Sequence, residues 1–180
     1  PPSLWLDLRV KDLSDDTYSS VQAMLIGMGS PQRIDGWNCP GCAKKVAAWQ
    51  TTQMRKDLAP ELLVVQLPRL AFDLSAKTEK RVKAHLACGL VIAIPDSQEK
   101  YDLVSTVMHT EGNFRGGHYI ASGVVNGAWQ WYNSSTVEEA KRHSAPEQVV
   151  IAFYVKRSKN KTDFEMKLPV KVNSPSNEKS

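Results

Sequence analysis

Apolar residues recur at two different periods along this chain, and the change of period separates its parts. From Leu6 to Val10 apolar and polar residues alternate, so Leu4 to Val10 predicts a strand. Tyr18, Val21, Met24, Leu25 and Met28 then fall at helical spacing. Ser14 or Asp15 is the expected cap and Gly29-Ser30-Pro31 the stop. Ala43 to Met54 fits a strand or a helix, whereas Leu62 to Leu67, partly β-branched and closed by Pro68, predicts a buried strand. Strand character dominates from there: Val82 to Ile94 mixes alternation with an apolar run, Tyr101 to His109 is β-rich, and His118 to Val125 follows a glycine pair. Asn126-Gly127 favours a tight hairpin turn, which would pair His118–Val125 with the Trp129–Tyr132 segment and bring His118 and Asn133 onto neighbouring strands. Val149 to Val155 is the last expected core strand. The polar, basic stretch 157–180 reads as a flexible tail, with Lys167 to Val172 as a stray pairing segment.

Composition narrows the class. At 180 residues, 42% apolar and 23% charged, the chain can bury the core of one globular domain. The net charge of +4 arises from dispersed lysines and arginines, densest from Lys156 to Lys161, which reads as a solvated basic face and not as a nucleic-acid site. No run of about 18 apolar residues suggests a membrane span, and the start lacks a signal-peptide pattern. Three cysteines, two in Cys39-Pro-Gly-Cys42 and one at Cys88, do not make a secreted disulfide framework, so an intracellular protein, cytoplasmic or nuclear, is expected. A chain opening directly into a strand also reads as a piece of a longer protein.

Gly116-Gly117-His118-Tyr119 places a histidine at the mouth of a strand, where paired glycines permit unusual backbone angles or close approach of another chain. Taken alone, such a histidine is more often structural or merely exposed than catalytic. Cys39 and Cys42 have the spacing of a zinc knuckle. A metal-free remnant and a redox dithiol are the alternatives. Cys88, within Leu86-Ala87-Cys88-Gly89-Leu90, reads as a buried inert thiol, and His85 as an exposed histidine. Trp129 reads as core, and Asp7, Asp12, Glu138 and Glu139 as solvated charge.

The ordered string from Tyr101 to His109, Gly117-His118-Tyr119-Ile120-Ala121, Trp129 and Tyr132-Asn133-Ser134-Ser135 resembles the histidine box of the ubiquitin-specific proteases. Trp37 to Cys42 is similar to the second cysteine pair of that family's zinc-binding fingers, Leu63 to Leu70 with Phe72 to its next strand, and Val149 to Tyr154 to its closing strand. The resemblance spans residues 3–156. It implies an α+β, papain-like cysteine peptidase, represented here mainly by the antiparallel β palm and part of the fingers. It also implies that residues 1–156 are the C-terminal part of a catalytic domain that hydrolyses the bond after the C-terminal glycine of ubiquitin. By the same resemblance His118 is the catalytic base and Asn133 its orienting partner, Gly117 and Tyr119 contact the substrate tail, and Cys39 and Cys42 supply half of a structural zinc site. No organic cofactor is implied. The Gly- and Asn-rich cysteine box of the family does not occur in these residues, so the isolated chain is expected to be inactive. Asn133-Ser134, where many members carry aspartates, leaves open a ubiquitin-binding pseudoprotease.

Overall fold

The computed structural model describes residues 3–8, 19–52, 59–73, 76–82, 84–95, 97, 99–110, 116–140 and 144–158. In chain order the elements are β1 (Ser3–Asp7), α1 (Val21–Met28), β2 (Gln32–Asn38), β3 (Lys45–Gln50), β4 (Leu62–Gln66), β5 (Leu70–Asp73) and β6 (Thr78–Arg81). There follow β7 (Val91–Ala93), β8 (Lys100–His109), β9 (Tyr119–Val125), β10 (Ala128–Asn133), β11 (Thr136–Glu139) and β12 (Val149–Lys156).

Eight of these strands form one sheet in the order β1-β4-β12-β8-β9-β10-β11, with β7 beside β9 on the same edge of β8. Only β1 and β4 run parallel, and a parallel pair needs a crossover. Here the crossover carries α1 and the separate β2–β3 hairpin. The core lies where α1 and the 82–88 segment pack on the sheet: Val21 and Leu25 of the helix and Val82, Leu86 and Cys88 join Leu63, Val65, Tyr101, Ala152 and Tyr154.

The two longest strands keep their apolar residues on that core by bulging. In β8 the buried positions are Tyr101 and Leu103, then Thr106 and Met108, a change of parity where the pairing with β12 slips between Phe153 and Tyr154. β12 does the same. Its pairing slips between Val149 and Ile151, and burial passes from Val149 to Ala152 and Tyr154. An extra residue in each strand returns the following side chains to the core face, which a strict two-residue period would have turned outward.

Several expectations from sequence need correction. The helix begins at Val21, not after Ser14 or Asp15, and Ser20 is its cap, accepting from the Ala23 N–H at 3.1 Å. Ser20 is held extended because it bridges Ala87, with Val21 N–H donating to the Ala87 carbonyl and Ala87 N–H to that of Ser19. That pairing consumes the backbone a longer helix would have used. The first strand ends at Asp7, and Arg9, Val10, Asp12, Ser14, Asp15, Tyr18, Met54 and Lys167–Val172 lie outside the described residues. The ambiguous 43–54 stretch is strand over Lys45–Gln50, paired with β2, and among the described residues of the 82–94 stretch only Val91–Ala93 is strand. Sequence periodicity missed β2, β5, β6 and β11. The Asn126-Gly127 turn forms as expected, both residues having positive φ (49° and 79°), and it joins β9 to β10 antiparallel. Trp129 and Trp131 are half-buried against the core. Arg157, assigned to the tail by composition, pairs with Asp102 and donates its N–H to the Lys100 carbonyl.

Candidate active site

The register of β8, β9 and β10 brings the histidine and asparagine of the sequence motif together. His118 immediately precedes β9 and Asn133 ends β10, one step beyond the Tyr132–Ala121 pair. Their side chains meet, His118 Nε2 against Asn133 Oδ1. An amide oxygen can only accept, so in this pairing Nε2 is the donor, and the neutral ring that fits it carries its lone pair on Nδ1. Asn133 is itself held at its carbonyl by Thr136 Oγ1 (2.7 Å), across a turn in which Ser134 adopts φ 53°.

The neighbours of His118 are as closely defined. His109 and Tyr119 pair across β8 and β9 and their rings stack at 4.5 Å. Burial, and then the nearby Arg81 guanidinium, hold His109 below the usual imidazole range. Gly117 lies under the same ring: a Cβ there would sit 2.0 Å from His109 Nε2. Gly117 therefore serves close approach, here of the His109 ring. It does not serve an unusual backbone angle, since its φ is not positive. Gly117 and Tyr119 line a cleft of about 560 Å³, together with Leu67, Arg69, Arg81 and His109, and Tyr119 is 62% exposed at its mouth.

Arg69 forms one wall and is only 3% exposed. Its guanidinium donates to the carbonyls of Val149 and Ala84 at 2.6 Å and to that of Pro146, and burial pushes it down to about 10. It remains a cation at neutral pH. Sequence reasoning gave Arg69, Arg81 and His109 no role, because their partners are backbone carbonyls or ring faces that no motif specifies.

The three cysteines differ in their surroundings. Cys88 is 2% exposed and burial pushes its thiol up to about 12, the opposite of activation. Cys39 and Cys42 sit at the turn of the β2–β3 hairpin, a sheet of its own. The Cys39 thiol is lowered from its ordinary value by the backbone N–H groups of Cys42 and Gly41, then by the Cys42 side chain. N–H groups aimed at a sulfur stabilise thiolate and suit a knuckle that holds two corners of tetrahedral zinc. Among the described residues no group of three or more His, Cys, Asp or Glu could complete such a site. His85 is exposed.

A family model described as ubiquitin carboxyl-terminal hydrolase matches residues 31–162, most of the chain. This chain belongs to the ubiquitin carboxyl-terminal hydrolase family. A probable ubiquitin carboxyl-terminal hydrolase of Acanthamoeba polyphaga mimivirus is 26% identical over 129 residues, covering 67% of this chain and 27% of that protein. Ubiquitin carboxyl-terminal hydrolase 26 of Oryza sativa subsp. japonica is 26% identical over 154 residues, 77% of this chain and 13% of its own length. Among solved structures, a chain of the yeast SAGA DUB module superposes with a TM-score of 0.63 at 20% identity, covering 86% of this chain and 36% of that one. A SAGA DUB module bound to ubiquitin aldehyde gives 0.60 at 20% identity with the same coverage. The hydrolase fold is therefore the papain-like α+β one expected from the motifs, and this chain spans a third or less of the curated relatives it matches. No helix among the described residues is long and apolar enough to cross a membrane.

Proposed function

We propose that this chain supplies the general-base part of a cysteine deubiquitinase, with the nucleophilic thiol carried by another segment of the same protein. The pairing of His118 Nε2 with Asn133 Oδ1 carries the reading, because it leaves Nδ1 as the one ring nitrogen able to take a proton. In the reaction, Nδ1 accepts the thiol proton, the thiolate sulfur bonds to the carbonyl carbon of the ubiquitin C-terminal glycine, the C–N bond to the leaving amine breaks, and the imidazolium returns the proton to that amine. Water then releases the acyl group with His118 again as base. Asn133 holds the ring orientation and accepts from the imidazolium while the charge exists. Gly117 and Tyr119 flank the cleft that would take the extended ubiquitin tail. Ubiquitin or a ubiquitinated protein is the partner, and the isolated chain, without the nucleophilic thiol, is inactive. No organic cofactor takes part. Cys39 and Cys42 would hold two corners of a structural zinc whose other ligands come from outside the described residues; inductively coupled plasma measurement on the full-length protein should find zinc that a Cys39→Ser variant loses. Such an enzyme works in the cytoplasm or nucleus.

A second reading, a ubiquitin-binding pseudoprotease, is favoured by Asn133-Ser134, which offers the imidazolium no carboxylate. The two separate on treating the full-length protein, its His118→Ala variant and this chain alone with a ubiquitin probe bearing a C-terminal electrophile. A covalent adduct on the full-length protein that weakens about 10²-fold or more in His118→Ala supports the protease. No adduct, with ubiquitin still bound, refutes it in favour of the pseudoprotease.

A further inference from the structure

His118 is exposed and stands just outside the regular sheet, yet its use as a base demands a backbone held to a fraction of an ångström. Its ring is steadied by Asn133. Its main chain is steadied from the other side, by Thr110, which spends two donors on one acceptor: the Thr110 N–H reaches the His118 carbonyl at 2.8 Å and Thr110 Oγ1 reaches it at 2.9 Å. Both lone pairs of that carbonyl are thereby occupied. Behind Thr110 stands Arg81, at the end of β6, donating to the carbonyl of Thr110 at 3.0 Å and to that of His109. The His109 carbonyl and the Thr110 N–H belong to one peptide group. A cation bonded to its oxygen polarises the group and strengthens its N–H as a donor.

We infer that Thr110 and Arg81 are positioning residues for the base, forming a chain from guanidinium through the His109–Thr110 peptide to the His118 carbonyl. The inference rests on the reading of His118 as general base. Arg81 is itself anchored, because Val82 N–H donates to the Arg69 carbonyl and Arg69 is clamped to the carbonyls of Val149, Ala84 and Pro146. The chain therefore ends in the buried wall of the cleft. Thr110 uses its methyl-bearing, β-branched side chain to hold Oγ1 in place, and serine keeps the hydroxyl while losing only stiffness.

The test is steady-state hydrolysis of a ubiquitin C-terminal amide of a fluorophore by the full-length protein, comparing Thr110→Val, Thr110→Ser, Arg81→Gln, the Thr110→Val/Arg81→Gln double variant and His118→Ala. Thr110→Val is nearly isosteric and should lower kcat by about three- to tenfold, the value of one hydrogen bond, with KM within twofold of wild type. Thr110→Ser should recover kcat to within about twofold. Arg81→Gln should lower kcat similarly. Because both act through one carbonyl, the double variant should lose less than the product of the single losses. A merely structural role would instead lower melting temperature and active fraction in both Val and Ser variants without this rescue, and that result overturns the inference. So does a wild-type kcat in both Thr110→Val and Arg81→Gln while His118→Ala is inactive. A fully active His118→Ala, or a wild type without turnover, sinks the base reading itself and this inference with it.

Discussion

Replacing Gly117 by alanine tests the packing beside His118, the proposed base. The added methyl carbon would lie 2.0 Å from His109 Nε2 and 2.8 and 2.9 Å from Cε1 and Cδ2, so the ring or the backbone must give by about 1.4 Å to reach ordinary contact. If the ring gives, its stack on Tyr119 is lost, about 0.5–1.5 kcal/mol. If the backbone gives, the next residue is His118, and a displacement of about 1 Å in a reacting group can cost about 10²-fold in rate. Alanine also stiffens the unfolded chain, which returns about 0.4–1 kcal/mol. Gly117→Ala should therefore cost little stability, about 1 kcal/mol, while the rate of reaction with an electrophilic ubiquitin probe falls about 10- to 100-fold. His109→Ala combined with Gly117→Ala frees the space. The double variant should return to within a few-fold of His109→Ala alone. The probe-labelling rate in the full-length protein and a thermal melt of each variant suffice. A Gly117→Ala protein that labels at the wild-type rate, or a double variant as slow as Gly117→Ala, would refute the steric argument.

Other consequences follow from particular contacts. Asn133→Ala removes the acceptor that supports the imidazolium, a charge-assisted bond of about 1.5–3 kcal/mol. The labelling rate should fall about 10- to 100-fold; an unchanged rate would show that His118 is oriented by something else. Arg69→Met leaves two buried carbonyls and one half-buried carbonyl without this donor and should lower the unfolding free energy by about 3–5 kcal/mol. Urea melts that agree with wild type to within about 1 kcal/mol would contradict that account. Burial holds Cys88 and Tyr101 up to about 12 and raises Tyr154 further, so the folded state keeps protons that the unfolded state releases above about pH 8.5–10. Their contribution to stability is complete below that range and is lost as pH rises toward 12. Urea midpoints should fall between about pH 9 and 11, less steeply in Cys88→Ala, and a flat profile would count against these shifts.

What could be read from sequence was whatever depends on near neighbours. Asn126-Gly127 specifies its turn because both residues tolerate positive φ, and the apolar run Leu62–Leu67 specifies a strand buried on both faces, as Leu63, Val64 and Val65 confirm. The hairpin then carries Asn133 back beside His118, so the candidate site followed from one turn and one glycine-histidine motif. Tertiary structure decided the rest. Ser20 caps the helix because Ala87, 67 residues on, holds it extended, and Ser14 or Asp15 were equally good caps by local chemistry alone. The bulges in β8 and β12 undo the strict alternation a sequence pattern assumes, since they arise from matching two strands whose core positions differ by one residue. Arg69, Arg81 and Thr110 were silent for a further reason. Each is defined by main-chain carbonyls that every residue type possesses, and only the folded path of the chain determines which of those carbonyls stand unpaired within reach of a donor.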